Sequence, residues 1–137
     1  MHDTQELADR YVAMWNEPDA ERRRQAISEL WASDAVHKLE PPQETRETAA
    51  TLRVNAVFEV RGHGALEERV TRAYEEFIEP GEFAFRAGGR AARVGDVVKL
   101  GWEMVKNDGG DVAAVGIDFL VLDADGRIRR DYQFIES

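Results

Sequence analysis

Apolar residues recur every three or four positions in the first half of the chain and every second position in the second half. From Thr4 to Trp15, Leu7, Tyr11, Met14 and Trp15 share one helical face, and Asp3 with Glu6 forms a capping-box pattern at its start. Asn16-Glu17-Pro18-Asp19 is a turn in which Pro18 stops the first helix. A second helix is predicted from Asp19 to Ala32, with Ala20, Ile27, Leu30 and Trp31 as its stripe. The run Arg22-Arg23-Arg24 within it reads as a solvated face paired with glutamates. Ala35 to Glu40 reads as a short strand ended by Pro41-Pro42. Gln43 to Leu52 is polar and weakly helical, and Arg53 to Val60 reads as a strand or an irregular approach. Arg61-Gly62-His63-Gly64 introduces a helix over Ala65 to Ile78, striped by Leu66, Val70, Ala73, Tyr74 and Phe77 and closed by Pro80-Gly81.

From Glu82 onward the pattern becomes a strand meander. It begins at Phe83 and continues with strands over Val97–Val105, Val112–Leu122 and Ile128–Ile135. Gly95-Asp96, Asn107-Asp108-Gly109-Gly110 and Asp123-Ala124-Asp125-Gly126 supply the turns. Helices followed by a meander predict an α+β class with a mostly antiparallel sheet, in one domain over residues 1–137.

Asp118 interrupts the most apolar of these strands. Alternation puts Gly116, Asp118, Leu120 and Leu122 on one face and Ile117, Phe119 and Val121 on the other. An ionised carboxylate among apolar neighbours must pair, accept hydrogen bonds or take up a proton. Perturbed carboxyls of this kind cluster at functional sites.

Composition narrows the classes. The 137 residues suffice for one core without staples, and 43% are apolar, which excludes a disordered chain. A formal net charge of -9 disfavours nucleic acid and anionic membrane surfaces. The chain has no cysteine, so a disulfide framework and a thiolate metal site are excluded; that absence does not fix the compartment but is compatible with the expected cytoplasmic one. The sequence has no His/Glu cluster at metal spacing, no phosphate-cradling glycine loop and no nucleophile elbow, so no cofactor or metal is expected.

The titratable groups in apolar surroundings are Tyr11, His37, Glu40, Asp118 and Asp131. Tyr11 is either a core aromatic with a satisfied hydroxyl or a functional donor. Glu40 is either an exposed carboxylate at a strand end or a base. His37 and Glu40 are three apart, so a bulge is needed to bring them to one face. His63, between two glycines, belongs to a turn, and Asp131, after two arginines, reads as pairing with one of them. Trp15, Trp31 and Trp102 are core bodies by default, or aromatic walls of a ligand cavity.

Several segments together resemble a known family. They are Arg10-Tyr-Val-Ala-Met-Trp-Asn-Glu-Pro-Asp19, Leu30-Trp-Ala-Ser-Asp-Ala35, Glu40-Pro41, Arg61-Gly-His-Gly-Ala-Leu66, Gly101-Trp-Glu-Met104, Gly116-Ile-Asp-Phe119 and Leu122-Asp-Ala-Asp-Gly-Arg-Ile128. The pattern is similar to the nuclear transport factor 2-like (cystatin-like) superfamily, in its SnoaL-like branch, and spans nearly the whole chain. The resemblance implies a curved, cone-shaped sheet wrapped around N-terminal helices, an apolar pocket in its mouth, and a homodimer through the outer sheet face.

The ketosteroid isomerases of that superfamily carry a tyrosine on the first helix, an aspartate base before a proline, and a protonated aspartic acid on a late strand. By that resemblance Tyr11, Glu40 and Asp118 are the candidate catalytic set, with Glu for Asp as a departure that displaces the carboxylate by about one bond. Trp15, His37 and Trp102 are the candidate ligand contacts. The implied chemistry is removal of a proton next to a carbonyl of a small hydrophobic molecule, as in an isomerase or polyketide cyclase. The alternatives are a non-catalytic binding or dimerisation module and, more weakly, an epoxide hydrolase.

Overall fold

The computed structural model describes residues 3–40, 43–53 and 58–136. Helix α1 spans Thr4–Asn16, and Asp3 caps it by accepting from the Glu6 backbone N–H at 2.8 Å. Helix α2 spans Ala20–Leu30, capped by Asp19, and strand β1 (Trp31–Leu39) follows with no intervening loop. Helix α3 is Gln43–Thr51, β2 is Phe58–Arg61, and α4 is Gly62–Ala73, continued by a π-helical turn over Tyr74–Ile78. The meander comprises β3 (Phe83–Ala87), β4 (Ala92–Val94), β5 (Val97–Lys106), β6 (Val112–Leu122) and β7 (Ile128–Glu136).

The strands form one curled, unclosed sheet in the order β2-β1-β7-β6-β5-β3, with β4 on β5. Every pairing is antiparallel except β1 with β7, which run parallel. Helices α1 and α4 fill the concave side, where Leu7, Tyr11, Trp15, Leu66, Val70 and Leu120 belong to one buried cluster. Along β6 the predicted alternation holds, with Gly116, Asp118, Leu120 and Leu122 all buried.

Two boundaries differ from expectation. Trp31 and Ala32 belong to β1, not α2: Trp31 has extended backbone (φ -109, ψ 141), pairs with Ile128 and is fully buried, so tertiary packing overrides the helical period. Helix α4 starts at Gly62, whose φ of 81 lets the chain reverse out of β2. His63 thus lies in the first helical turn, where a ring nitrogen bonds the Trp31 carbonyl at 2.9 Å. The expected stop at Pro41-Pro42 and part of the Arg53–Val60 segment (54–57) lie outside the described residues.

Candidate functional site

Tyr11 reaches from α1 to the centre of the sheet and is almost fully buried. Its Oη lies 2.8 Å from Asp118 Oδ2 on β6 and 2.6 Å from Asp131 Oδ2 on β7. Trp102 Nε1 on β5 donates to Asp118 Oδ1 at 2.8 Å, and Gln133 Nε2 stands 3.5 Å from that oxygen. The sheet register sets this meeting. Asp118 is opposite Gln133, Leu120 is opposite Asp131, and on the other side of β7 Asp131 is opposite His37.

The short contacts fix a proton count. A phenol has one proton and can donate only once. Two carboxyl oxygens within 2.8 Å of the same hydroxyl therefore require a second proton, carried by one of the acids. Burial pushes the Asp131 carboxyl well above the usual range, and the adjacent Asp118 pushes it further. Asp131 is thus the natural holder of that proton. Burial, reinforced by Asp118 and Asp131, likewise raises the Tyr11 hydroxyl, so Tyr11 is a neutral phenol and not a base.

His37 is sealed below this cluster. Neither ring nitrogen has a hydrogen-bond partner among the described residues, and Nε2 stands 3.8 Å from Asp131 Oδ2. Burial, with the Arg69 charge adding to it, lowers its pKa to about 3, so the ring is neutral. His37, Asp118 and Asp131 offer ligand atoms all within 4.8 Å of one another, the one such group among the described residues. Zinc ligands at their usual bond lengths lie roughly 3.3–3.5 Å apart, so binding an ion needs the cluster to contract. The Tyr11 bonds already satisfy one oxygen of each acid through protons. The group needs no ion to hold together.

Above Tyr11 opens a cavity of about 220 Å3. Its wall is mostly aromatic and aliphatic, with Trp15, Phe77, Phe85, Trp102 and Met104 prominent. Edge-on packing orders it: the Phe85 ring meets Trp102 at 5.7 Å and Trp15 at 6.5 Å between centroids. Polar atoms reach the wall from Tyr11, Arg69 and Gln133.

The predicted residues divide accordingly. Tyr11, Trp15 and Trp102 line the cavity. Asp118 joins Tyr11 as the strand pattern implied, but it is 0% exposed and sits behind the wall. His37 does not line the cavity: it too is 0% exposed, shut off by Trp15 and Trp31, whose rings lie 6.0 Å from its own. Glu40 does not join the set. Its carboxylate faces Arg46 on α3 at 3.4 Å, away from the cavity. The physical reason is strand parity. From Val36 to Leu39 the register against β7 is unbroken, and the Glu40 N–H continues it to the Gln133 carbonyl. The irregularity of β1 lies earlier, between Trp31 and Val36, so nothing turns Glu40 inward.

Asp131 pairs with neither preceding arginine. Arg129 is the extra residue of a bulge, since Leu122 faces Ile128 while Val121 faces Arg130. The bulge puts Asp131 on the same buried side as Ile128 despite their odd spacing. Gln133 and Arg69 also went unforeseen. Strand alternation from Asp131 would have found Gln133. Arg69 looks like an ordinary polar flank of the Leu66–Val70 stripe, because only its long stem lets the charge reach the cavity.

No family model matches the chain, and no curated protein matches it. Solved structures do. A SnoaL-like family protein from Agrobacterium tumefaciens, described as a candidate isomerase, is 26% identical over 100% of both chains with a TM-score of 0.79. A nuclear transport factor 2-like protein of unknown function from Exiguobacterium is 19% identical over 96% of this chain and 98% of its own, with a TM-score of 0.63. A candidate polyketide cyclase from Sinorhizobium meliloti is 19% identical over 96% of this chain and 99% of its own, with a TM-score of 0.56. The fold is that of the nuclear transport factor 2-like, cystatin-like proteins, and a SnoaL-like protein is among the structures the chain resembles over its whole length.

Proposed function

We propose that this chain is a binding module for a small, largely apolar, carbonyl-bearing molecule held in the cavity above Tyr11. One observation carries the reading: the wall is apolar and aromatic, and among the described residues no Asp, Glu or His lines it. Removing a proton next to a carbonyl needs a base within about 2.6–3.2 Å of that proton, or one water away. Glu40 is turned outward, and the Asp118–Asp131 pair lies behind Tyr11 and Trp102. Tyr11 and the acids then serve to pin α1 to the sheet and shape the cavity floor.

The second reading is proton transfer of isomerase or cyclase type. It is favoured by the Agrobacterium neighbour described as a candidate isomerase, which matches the whole chain. In that reading Tyr11 and the acids behind it stabilise the enolate oxygen, solvent water takes the α-proton and returns one to carbon, and Glu40 has no part. Titration with 1-tetralone, followed by Trp fluorescence and by NMR of α-proton exchange in deuterated buffer, separates the two. Saturable quenching without exchange above buffer supports the binding module. Catalysed exchange that disappears in Tyr11→Phe replaces it with the enzyme, and the absence of saturable binding by ring ketones defeats both.

The same reading includes a homodimer through the outer sheet face. There Phe119 and Phe134 pack edge-on at 5.9 Å, and Phe134 and Val112 remain 42% and 45% exposed. Light scattering on Phe134→Lys against the unaltered protein tests it: a mass of one chain in both removes the dimer. Among the described residues no helix is long and apolar enough to cross a membrane.

A further inference from the structure

The hydrogen-bonding capacity of the cavity wall is unevenly spent. The Tyr11 hydroxyl is committed to two carboxyls and the Trp102 N–H to Asp118. Arg69 is different. Its guanidinium lies 5.2 Å from the centroid of the Trp15 ring, and Nη2 donates to Gln133 Oε1 at 3.3 Å. Its buried Nε has no partner, and among the described residues it forms no ion pair. A guanidinium carries five donors in a planar fork that fits a carboxylate with two parallel bonds.

A positive charge on the wall of an apolar cavity, with most of its donors uncommitted, selects a ligand of the opposite sign. We propose that Arg69 anchors the carboxylate of a small ring-bearing acid, whose apolar body packs against Trp15, Phe85 and Trp102. The inference rests on the ligand-binding reading above and names the class of ligand. Size limits that class. About 220 Å3 is less than the roughly 300–1,000 Å3 of drug-sized sites, so one or two rings fit and a fused four-ring skeleton does not. The buried acids do not repel such a ligand strongly, because the shared proton leaves one negative charge between them and Gln133 stands between that charge and Arg69.

Calorimetric titration with 1-naphthoate and with 1-naphthamide, equal in shape and different in charge, tests this. The unaltered protein is expected to bind the carboxylate roughly ten- to hundredfold more tightly, the range of a charge-assisted pair. Arg69→Met is expected to erase that preference, so that naphthoate binds no more tightly than naphthamide. Arg69→Lys keeps the charge without the fork, and a partial preference is expected. It carries the test alone if circular dichroism shows that Arg69→Met does not fold. Equal affinity of the unaltered protein for both compounds overturns the anchor and leaves the binding module standing. A preference unchanged in Arg69→Met, or unchanged in Arg69→Lys, also overturns the anchor as drawn. Binding of neither compound overturns the anchor and the binding module together.

Discussion

Gly116 lies directly opposite Trp102 in the β5–β6 register, and the indole occupies the space a side chain at 116 would need. A Cβ built there would sit 2.1 Å from Trp102 Cζ2. The glycine is thus what lets the indole lie flat across β6 and donate to Asp118. Gly116→Ala is expected to lift the ring, break that bond and cost about 1–3 kcal/mol, as overpacking does. Urea unfolding gives the loss, and altered Trp emission reports the displaced ring. Unchanged stability and emission would show that the ring relaxes at no cost.

Tyr11→Phe removes the hydroxyl shared by Asp118 and Asp131 and fills nothing in return. A loss of roughly 2–3 kcal/mol in chemical denaturation is expected, since both acids lose a buried partner. A loss below about 0.5 kcal/mol would mean that the carboxyls bond each other directly.

The pH response contains two opposing slopes. Asp131 has a folded pKa raised above its ordinary 3.8, so its contribution is complete below that value and is lost as pH rises toward the folded pKa. His37 has a folded pKa lowered from 6.5 to about 3, so its contribution is complete above 6.5 and is lost as pH falls toward 3. Between about pH 4 and 6.5 the two act against each other. Denaturant midpoints across that window should fall more steeply with acid in Asp131→Asn than in the unaltered protein. In His37→Phe they should instead fall as pH rises. The His37 contribution is on the order of 5 kcal/mol, from a fall from 6.5 to about 3 at roughly 1.4 kcal/mol per pKa unit. Identical profiles for all three proteins would discard both assignments.

Glu40→Gln breaks a partly exposed pair with Arg46 and touches nothing in the cavity. Stability is expected to change by less than about 0.5 kcal/mol, and ligand affinity not at all. A tenfold loss of affinity or turnover would return Glu40 to the site.

The β6 pattern made Asp118 legible from sequence, because strict alternation left it no other face. Tyr11 was equally legible from the helical stripe. What alternation could not supply were the irregularities. The bulge at Arg129 reverses the side on which Asp131 points, and nothing in Ile128-Arg-Arg-Asp131 announces it. On β1 the opposite error arises: a bulge that would have brought Glu40 to His37 lies upstream of both. Trp31 has the same origin. Its spacing fits α2, yet the strand partner that claims it, Ile128, is far away in sequence. Arg69 was hidden for another reason, since a charged residue flanking an apolar stripe gives no sign of which way its long side chain will lie.

The Tyr11–Asp131 bond joins residues 120 positions apart. A ribosome that has just added Leu122 has already made α1, Tyr11 and Asp118, but not the strand that β1 and β6 both need as a neighbour. Until β7 emerges, the concave face has an open seam and its apolar lining is uncovered. Closure depends on contacts of long sequence separation, which form slowly. The core is therefore closed only once β7 has docked between β1 and β6.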